Sequence, residues 1–443
     1  MQTLITNARL INEGSETEGD LLIRDGRIAR IGSSISAPEG AEIIDAEGKY
    51  LLPGMIDDQV HFRDPGLTHK GDLQTESKAA VAGGITSVME MPNTSPPTTT
   101  REALAEKYRN AEGRAWANYA FYFGATNRNI DEIRKLQPGE ACGTKVFMGA
   151  STGDMLVDDE TTLDLIFRDC PTLVITHCEH TPSINANLKA AQAKWGDDIP
   201  VTEHPRIRGR ETCLKSSSFA VDLAKQHGTR LHVLHLTTAD EMVLFEPGPI
   251  ASKQITSEAC VHHLWFCDED YEQRGNLIKC NPAIKAATDR DALLQAIRDD
   301  RIDIIATDHA PHTAEEKAGN YMKAPAGLPL VQHALPSLFA HIAEGRLDLH
   351  TVVRKVSHNV ADHFGVVDRG YLREGYWADL TLVDAGKPWT VSKDNVLYKC
   401  GWSPFEGVTF PASIAATWVN GELKYRDGAF AGGPNGVRLG LSR

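Results

Sequence analysis

The chain has 443 residues, of which 41% are hydrophobic and 24% charged, so it is long enough for one large domain and a smaller companion. Its net charge of −14, without a block of like charge, argues against nucleic acid or an anionic membrane as the main partner. The eight cysteines form no CxxC pair, and neither a signal peptide nor a transmembrane run is recognisable. These features predict a cytoplasmic protein with reduced cysteines.

Both ends of the chain predict short β-strands. The segment LLIRDGRIARIG places Asp25-Gly26 between alternating apolar residues, and SIAATWVNGELKYRDG places Asn420-Gly421 in a similar setting. Both patterns are typical of β-hairpins. Neither end has enough strands for a stable sheet, so we expect residues 1–53 and 366–443 to combine into one small β-sandwich domain.

The middle of the chain, residues 54–365, alternates apolar runs with helical segments such as ESKAAVAGG and DRDALLQAIRDD. Eight runs have the composition of strands: 55–62, 86–91, 118–124, 143–149, 172–178, 230–236, 254–260 and 303–309. Eight β-then-α units predict an α/β fold, the (β/α)₈ or TIM barrel.

Polar residues stand in or at the ends of these runs, where barrel enzymes place their active sites. The candidates are His61, Lys145, His177, His235 and Asp308. A single histidine in an apolar strand is usually a satisfied polar residue, but the set together indicates a metal site. His232 lies three residues before His235 and should face the opposite side of its strand, so only His235 is taken as a ligand.

Three of the polar residues suggest particular chemistry. Lys145 lies in an apolar strand, where it needs either a salt bridge or conversion by carbon dioxide to a carbamate that bridges two metals; the spacing leaves both open. Asp308 suits a base that takes a proton from water and delivers it to a leaving nitrogen. Arg63 offers a planar fork for a carboxylate.

The sequence resembles the dihydroorotases of the amidohydrolase superfamily over nearly its whole length. The motifs are PGMIDDQVHFRDPG (53–66), AAVAGGITSVMEMPNTSPPT (79–98), TKVFMG (144–149), ITHCEH (175–180), HPRIRGRET (204–212), LHLTTADE (234–241), CNPAIK (280–285), ATDHAPH (306–312), GLPLVQHALP (327–336) and GYWADLTLVD (375–384). The resemblance implies reversible hydrolysis of dihydroorotate to N-carbamoyl-aspartate in pyrimidine biosynthesis.

The resemblance also implies a site. A binuclear centre, usually of zinc, would be held by His61, carboxylated Lys145, His177, His235 and Asp308. Arg63, Asn93 and His312 would hold the substrate carboxylate, while Asn281 and the loop at Ala326-Gly327 would meet the ring amide.

One position departs from the family pattern. Members have His-x-His at the end of the first strand, whereas this chain has Gln59-Val60-His61. An amide is a poorer zinc ligand than imidazole, so we expect one tight metal site and one that is weak or empty. Gln59 could still bind weakly through its carbonyl oxygen or hydrogen-bond a bound water.

Alternatives remain open at this point. The chain could be a related cyclic amidase of the hydantoinase or allantoinase type, or a catalytically silent partner of aspartate transcarbamoylase. Arg63 together with Asn93 favours an acidic ring, and the retained base and lysine favour activity. A homo-oligomer, dimer or tetramer, is expected. His262 and His263, near the seventh strand, are interpreted as packing residues or as supports behind the site. The polar loop 308–329 either closes over the substrate, which His312 favours, or is a surface loop.

Overall fold

The computed structural model describes residues 2–149 and 153–443; Met1, the first residue of the predicted N-terminal segment, and residues 150–152 lie outside the described residues. Among the described helices, none is both long and apolar enough to cross a membrane.

The strands are β1 (Gln2–Asn12), β2 (Ser15–Arg24), β3 (Arg27–Gly32), β4 (Glu42–Asp45), β5 (Tyr50–Pro53), β6 (Met55–Val60), β7 (Ile85–Glu90), β8 (Asn118–Phe121), β9 (Phe123–Gly124), β10 (Thr144–Phe147), β11 (Val174–His177), β12 (Leu231–Val233), β13 (Ile255–Cys260), β14 (Ile304–Ala306), β15 (Leu380–Asp384), β16 (Trp389–Thr390), β17 (Thr409–Phe410), β18 (Ser413–Val419), β19 (Glu422–Arg426) and β20 (Ala429–Phe430).

Helices connect most of the strands of the middle region and cover its outside. They are α1 (Leu73–Ala82), α2 (Arg101–Ala111), α3 (Ile130–Ile133), α4 (Glu160–Asp169), α5 (Thr181–Trp195), α6 (His204–Ile207), α7 (Arg210–His227), α8 (Val261–Trp265), α9 (Tyr271–Arg274), α10 (Ala287–Arg298), α11 (Ala314–Lys317), α12 (Ala334–Ala343), α13 (Leu349–Val353) and α14 (Asn359–Phe364).

The two chain ends share one nine-stranded sheet. Its order is β20-β19-β18-β15-β5-β1-β2-β3, with β4 paired to β1. The ends join where β15 runs antiparallel to β5, with Leu380 opposite Pro53. The expected hairpin turns are present: Asp25 and Gly26 both have positive φ (52° and 80°), as two-residue hairpin loops of this type require.

All eight predicted barrel runs contain a strand, and the third is divided into β8 and β9. Parallel pairing runs through β6-β7-β8 and through β14-β13-β12-β11-β10-β9. The barrel closes where Val60 bridges His309 and the His61 amide donates to the His309 carbonyl at 2.7 Å. The structure is therefore a TIM-type barrel with a small β-rich domain, and the predicted fold class is confirmed.

Apolar side chains fill the barrel interior from several strands, among them Ile56, Met89, Tyr122, Ile175 and Leu234. Val360 and Phe364 of α14 belong to the same cluster and close one end of the barrel. The opposite end, at the carboxyl ends of the strands, is left for polar residues.

Part of the predicted C-terminal β segment contacts the barrel instead of the nine-stranded sheet. Strands β16 and β17 pair only with each other. Between them, the Tyr398 hydroxyl accepts from the Gln332 amide at 3.0 Å, and Trp402 Nε1 donates to the His312 carbonyl at 2.8 Å. The boundaries 1–53, 54–365 and 366–443 stay a prediction.

Candidate metal centre and active site

A cavity of about 170 Å³ opens at the carboxyl ends of the barrel strands. Phe147 and Ala310, which the sequence did not single out, form part of its wall. Every predicted site residue also lines it: Gln59, His61, Arg63, Asn93, Lys145, His177, His235, Asn281, Asp308, His312, Ala326 and Gly327. The structure thus brings together residues that are separated by up to 268 positions in the chain.

Two buried histidines meet at one side of the cavity. His177 ends β11, and its Nδ1 lies 2.8 Å from Nε2 of His235. Burial lowers the pKa of both imidazoles, so both are neutral near pH 7. Neutral imidazole is the form that binds a metal ion.

The expectation that His232 and His235 face opposite sides of a strand is wrong. Strand β12 ends at Val233, and His235 has a positive φ of 36°, which turns the chain after the strand. The His232 ring lies 3.6 Å from Asp58 of β6, a strand that is not its neighbour, so it also points into the barrel. The period-two rule holds only within a continuous strand.

Positive φ values recur at the candidate site. Asp308 has φ 52° and Arg63 has φ 69°, a region that side chains other than glycine rarely adopt. Such backbone is retained where the surrounding structure enforces it, and it aims both side chains into the cavity.

Lys145 is fully buried on β10. Burial lowers its pKa to about 8, because the charged ammonium loses its hydration. In the described part of the chain its Nζ makes no hydrogen bond or ion pair; it lies 4.7 Å from the centre of the Phe147 ring. The salt bridge considered in the sequence analysis is therefore absent from the described residues. With a pKa of about 8, part of the amine is neutral near pH 7, and the neutral amine is the form that reacts with carbon dioxide.

Gln59 contacts the candidate base directly. Its Nε2 donates to Asp308 Oδ1 at 3.0 Å, and the Cys260 thiol lies 3.6 Å from its Oε1. His61 Nε2 is 3.2 Å from the same Asp308 oxygen. In this orientation, assigned from the hydrogen-bond network, Gln59 presents an amide NH₂ and not a metal-binding oxygen to Asp308.

His177 is oriented by a buried ion pair that the sequence did not indicate. Its Nε2 lies 2.8 Å from Glu179 Oε2, and Arg208 donates to the same oxygen. Burial alone would raise the pKa of Glu179, but the interactions with Arg208 and His177 outweigh this effect and lower that pKa to about 2. A carboxylate there fixes the tautomer that turns the Nδ1 lone pair toward His235. The only hint of this pair in the sequence is the acidic residue two positions after His177.

The opposite side of the cavity carries positive charge. Arg63 Nε donates to the Pro311 carbonyl at 3.1 Å, and its Nη2 lies 3.0 Å from His312 Nε2. Lys70 Nζ lies 3.1 Å from the other ring nitrogen of His312. Burial lowers the Arg63 pKa only to about 10, because nearby carboxylates such as Asp308 oppose the shift, so the guanidinium stays charged at pH 7.

The predicted substrate loop is held by a buried lysine. Lys317 Nζ donates at 3.0 Å to the carbonyls of Lys279, Pro325 and Gly327. A Cβ at Gly327 would lie 2.4 Å from the Ala310 carbonyl oxygen, so only glycine fits there. Both contacts keep the backbone around residue 326 close to the cavity.

Asn281 and the two adjacent histidines form the remaining wall. The buried Oδ1 of Asn281 has no hydrogen-bond partner among the described residues, which leaves it available to a ligand. His262 and His263 lie in α8 and not on a strand, with ring centres 3.9 Å apart. His263 Nε2 lies 3.0 Å from the Pro282 carbonyl, next to Asn281.

The model of the amidohydrolase family matches residues 50–424. The chain belongs to the amidohydrolase family. Dihydroorotase from Methanosarcina acetivorans is 31% identical over 415 residues, which cover 91% of this chain and 88% of that protein. Dihydroorotase from Bacillus cytotoxicus is 32% identical over 434 residues, covering 96% and 99%. The resemblance inferred from the sequence motifs is confirmed.

Solved structures of amidohydrolases share the fold. L-hydantoinase (dihydropyrimidinase) from Arthrobacter aurescens superposes with a TM-score of 0.91 at 29% identity, covering 100% of this chain and 99% of that one. Dihydropyrimidinase from Brevibacillus agri superposes with a TM-score of 0.90 at 26% identity, covering 99% and 98%. The family is metal-dependent. Two groups of described residues that do not line the cavity are placed to bind a metal ion: His262, His263 and Cys280, and Asp58, His232 and Glu258.

The cavity residues fit such a metal. The buried Nδ1 of His235 has no hydrogen-bond partner among the described residues. Imidazole nitrogens and a carboxylate oxygen are ligands that zinc and similar divalent ions accept.

Proposed function

We propose that this amidohydrolase is a dihydroorotase, which hydrolyses the cyclic amide of dihydroorotate reversibly to N-carbamoyl-aspartate in pyrimidine biosynthesis. The observation that carries the proposal is the buried Arg63 at the cavity wall. Its Nη1 forms no hydrogen bond to the described residues, while Nε and Nη2 are engaged. A buried cation with a free donor fits a ring that bears a carboxylate.

The metal would be held by His61, Lys145, His177, His235 and Asp308. Lys145, as a carbamate, with His177 and His235 would form a tight zinc site. His61, Lys145 and Asp308 would form a weaker one, because Gln59 stands where a third nitrogen ligand is expected. When bound, zinc supplies a Lewis acid for the amide carbonyl and a lower pKa for water.

Asp308 acts as the base. Gln59 donates to its Oδ1 and His61 lies beside the same atom, whereas Oδ2 makes no hydrogen bond to the described residues. Oδ2 accepts the proton of the attacking water and returns it to the ring nitrogen as the amide bond breaks. Gln59 keeps the carboxylate oriented during both transfers.

The other cavity residues hold the substrate. Arg63, Asn93 and His312 bind its carboxylate. Asn281 and the backbone at Ala326-Gly327 bind the ring amide. Burial and the neighbouring Arg63 and Lys70 lower the pKa of His312 strongly, so it stays neutral and can share a proton in a hydrogen bond.

A related cyclic amidase is the second candidate, because the solved relatives above are hydantoinases and dihydropyrimidinases. The ring bound by such an enzyme need not carry a carboxylate, so Arg63 favours the first candidate. Homo-oligomer formation, a cytoplasmic location and association with aspartate transcarbamoylase stay predictions.

The test is a ring-opening assay with purified protein and added zinc. We expect turnover of dihydroorotate in preference to hydantoin and allantoin, and none in Lys145→Ala. Faster turnover of an uncharged ring would favour the second candidate. A folded wild-type protein that co-purifies with aspartate transcarbamoylase, contains no metal and turns over no ring would instead be a silent partner.

A further inference from the structure

A second group of ionisable side chains lies in the barrel interior, apart from the residues assigned above. Asp58 on β6, His232 on β12 and Glu258 on β13 are each fully buried, at 0% exposure. One ligand-type atom from each lies within 4.8 Å of the other two. Three strands thus direct two carboxylates and an imidazole to one point.

Four ligand atoms face this point: both carboxyl oxygens of Asp58, Oε2 of Glu258 and Nε2 of His232. They receive no hydrogen bond from described groups outside the cluster, and within it the two carboxyl groups contact each other. The other Glu258 oxygen is engaged, since it accepts from the His235 amide at 3.2 Å. Burial raises the pKa of both carboxyl groups, that of Glu258 to about 8, so the pair needs either a shared proton or a cation to neutralise it.

The imidazole faces the carboxylates with a lone pair. His232 Nδ1 lies 2.8 Å from the Thr256 hydroxyl oxygen, which is 3.2 Å from the Leu231 carbonyl oxygen. The hydroxyl also lies 3.2 Å from His363 Nε2, and when it donates to that nitrogen or to the Leu231 carbonyl it accepts from Nδ1. In that tautomer Nε2 is unprotonated, and its lone pair is free to bind a cation between the two carboxyl groups.

The separations match ligands around one ion. His232 Nε2 lies 3.6 Å from Asp58 Oδ2 and 3.5 Å from Glu258 Oε2, too far for hydrogen bonds. Ligand atoms at tetrahedral positions around zinc, with bonds of about 2.1 Å, lie about 3.4 Å apart.

We propose that Asp58, His232 and Glu258 bind a divalent transition-metal ion, of the zinc or manganese type, inside the barrel. One imidazole and two carboxylates are a donor set suited to such ions. Through Glu258 the ion stabilises the backbone at His235, where the chain turns with positive φ. The site is structural: none of its three side chains takes part in the proposed reaction, so its metal can be detected without measuring that reaction.

The test is anomalous diffraction at the zinc and manganese edges, on full-length protein from cells grown with both metals. The cluster has no exposed atom, so the ion enters as the chain folds. We expect a peak enclosed by the three side chains in wild type and none there in Asp58→Asn, with about one ion per chain fewer by elemental analysis. Asp57→Asn is the matched control, because Thr307 already bonds the Asp57 carboxylate; its peak should remain.

Two results would overturn the proposal. One is a wild-type map without a peak between Asp58 and Glu258. The other is a direct contact of their oxygens near 2.6 Å, the length of a shared-proton hydrogen bond. If Asp58→Asn does not fold, the wild-type map alone decides. Anomalous peaks at His177 and turnover of dihydroorotate are measured separately from the peak in this cluster. Failure of the proposed function can therefore be distinguished from failure of this proposal.

Discussion

Gln59 determines how the candidate metal centre differs from that of the family pattern. Its amide nitrogen donates to Asp308, so its oxygen would reach a metal only after the amide turns and that bond breaks. In this orientation the Gln59 side chain hydrogen-bonds the candidate base and does not offer an oxygen to a metal ion. This contact gives a physical reason for expecting the second metal site to be weak.

Gln59→His should strengthen that second site. An imidazole adds a nitrogen ligand, and we expect the second zinc ion to bind about tenfold to a hundredfold more tightly. Zinc titration of metal-free protein in a competing chelator measures both affinities. Gln192→His, at an exposed glutamine outside the cavity, is the control. Equal second-site affinities in wild type and Gln59→His would show that Gln59 does not limit the site.

Arg63→Gln should impair only substrates that carry a carboxylate. A hydrogen bond to a charged group contributes about 1.5–3 kcal/mol, so kcat/KM for dihydroorotate should fall about tenfold to a hundredfold or more. Any residual turnover of dihydrouracil, the same ring without the carboxylate, should be unaffected. Arg114→Gln is a matched control, because Arg114 pairs with Asp64 and is 41% exposed. An equal loss on both rings would contradict the assignment.

At the scale of elements, the loop over the cavity is held by contacts from several parts of the chain. Lys317 binds three carbonyls, and the segment between β16 and β17 binds the loop through Trp402. These contacts hold the loop against the cavity in this structure; its closure over the substrate stays a prediction.

Lys317→Met should loosen this wall. Loss of the three hydrogen bonds should speed hydrogen exchange of the backbone amide at Gly327 and raise KM more than it lowers kcat. Exchange measured by mass spectrometry on peptides spanning 320–330 checks the first effect. Lys323→Met, an exposed lysine in the same loop, should match wild type. Unchanged protection in Lys317→Met would exclude this role.

His333 anchors the same C-terminal segment and should make the protein acid-sensitive. Its Nδ1 lies 2.9 Å from the Tyr398 hydroxyl and 3.0 Å from the Ser403 hydroxyl. Burial lowers its pKa to about 3, against about 6.5 in an unfolded chain. As the pH falls from 6.5 to 3, the unfolded chain gains a proton that the folded one does not, so folding stability is lost through this window.

The measurement is the free energy of unfolding in urea between pH 4 and 7. Wild type should lose up to about 1.4 kcal/mol per pH unit more than His333→Gln, which lacks the titrating group. His69→Gln, at a side chain that is 59% exposed, should keep the wild-type slope. A wild-type slope in His333→Gln would contradict the argument.

The sequence predicted the elements better than their contacts. Apolar runs located all eight barrel strands, because their period and spacing are local properties. It could not show that β12 stops at Val233, so that both His232 and His235 face inward. The pairing of Glu179 with Arg208 and the docking of Trp402 depend on tertiary packing between distant segments.

At the scale of the whole molecule, the barrel gathers basic side chains and two neutral histidines on opposite sides of one cavity. Arg63 and Lys70 lie around His312 on one side, and His177 with His235 on the other. The chain carries a net charge of −14, so this local positive charge is a property of the site and not of the surface. That arrangement fits the small acidic ring proposed as the substrate.

The most direct test titrates zinc into metal-free protein and follows bound metal and dihydroorotate turnover together. The account predicts no turnover without metal, activity that rises with the first tightly bound equivalent, and neither tight cavity binding nor turnover in Lys145→Ala. Full turnover without metal, or a fully loaded wild-type protein that does not open the ring, would contradict it.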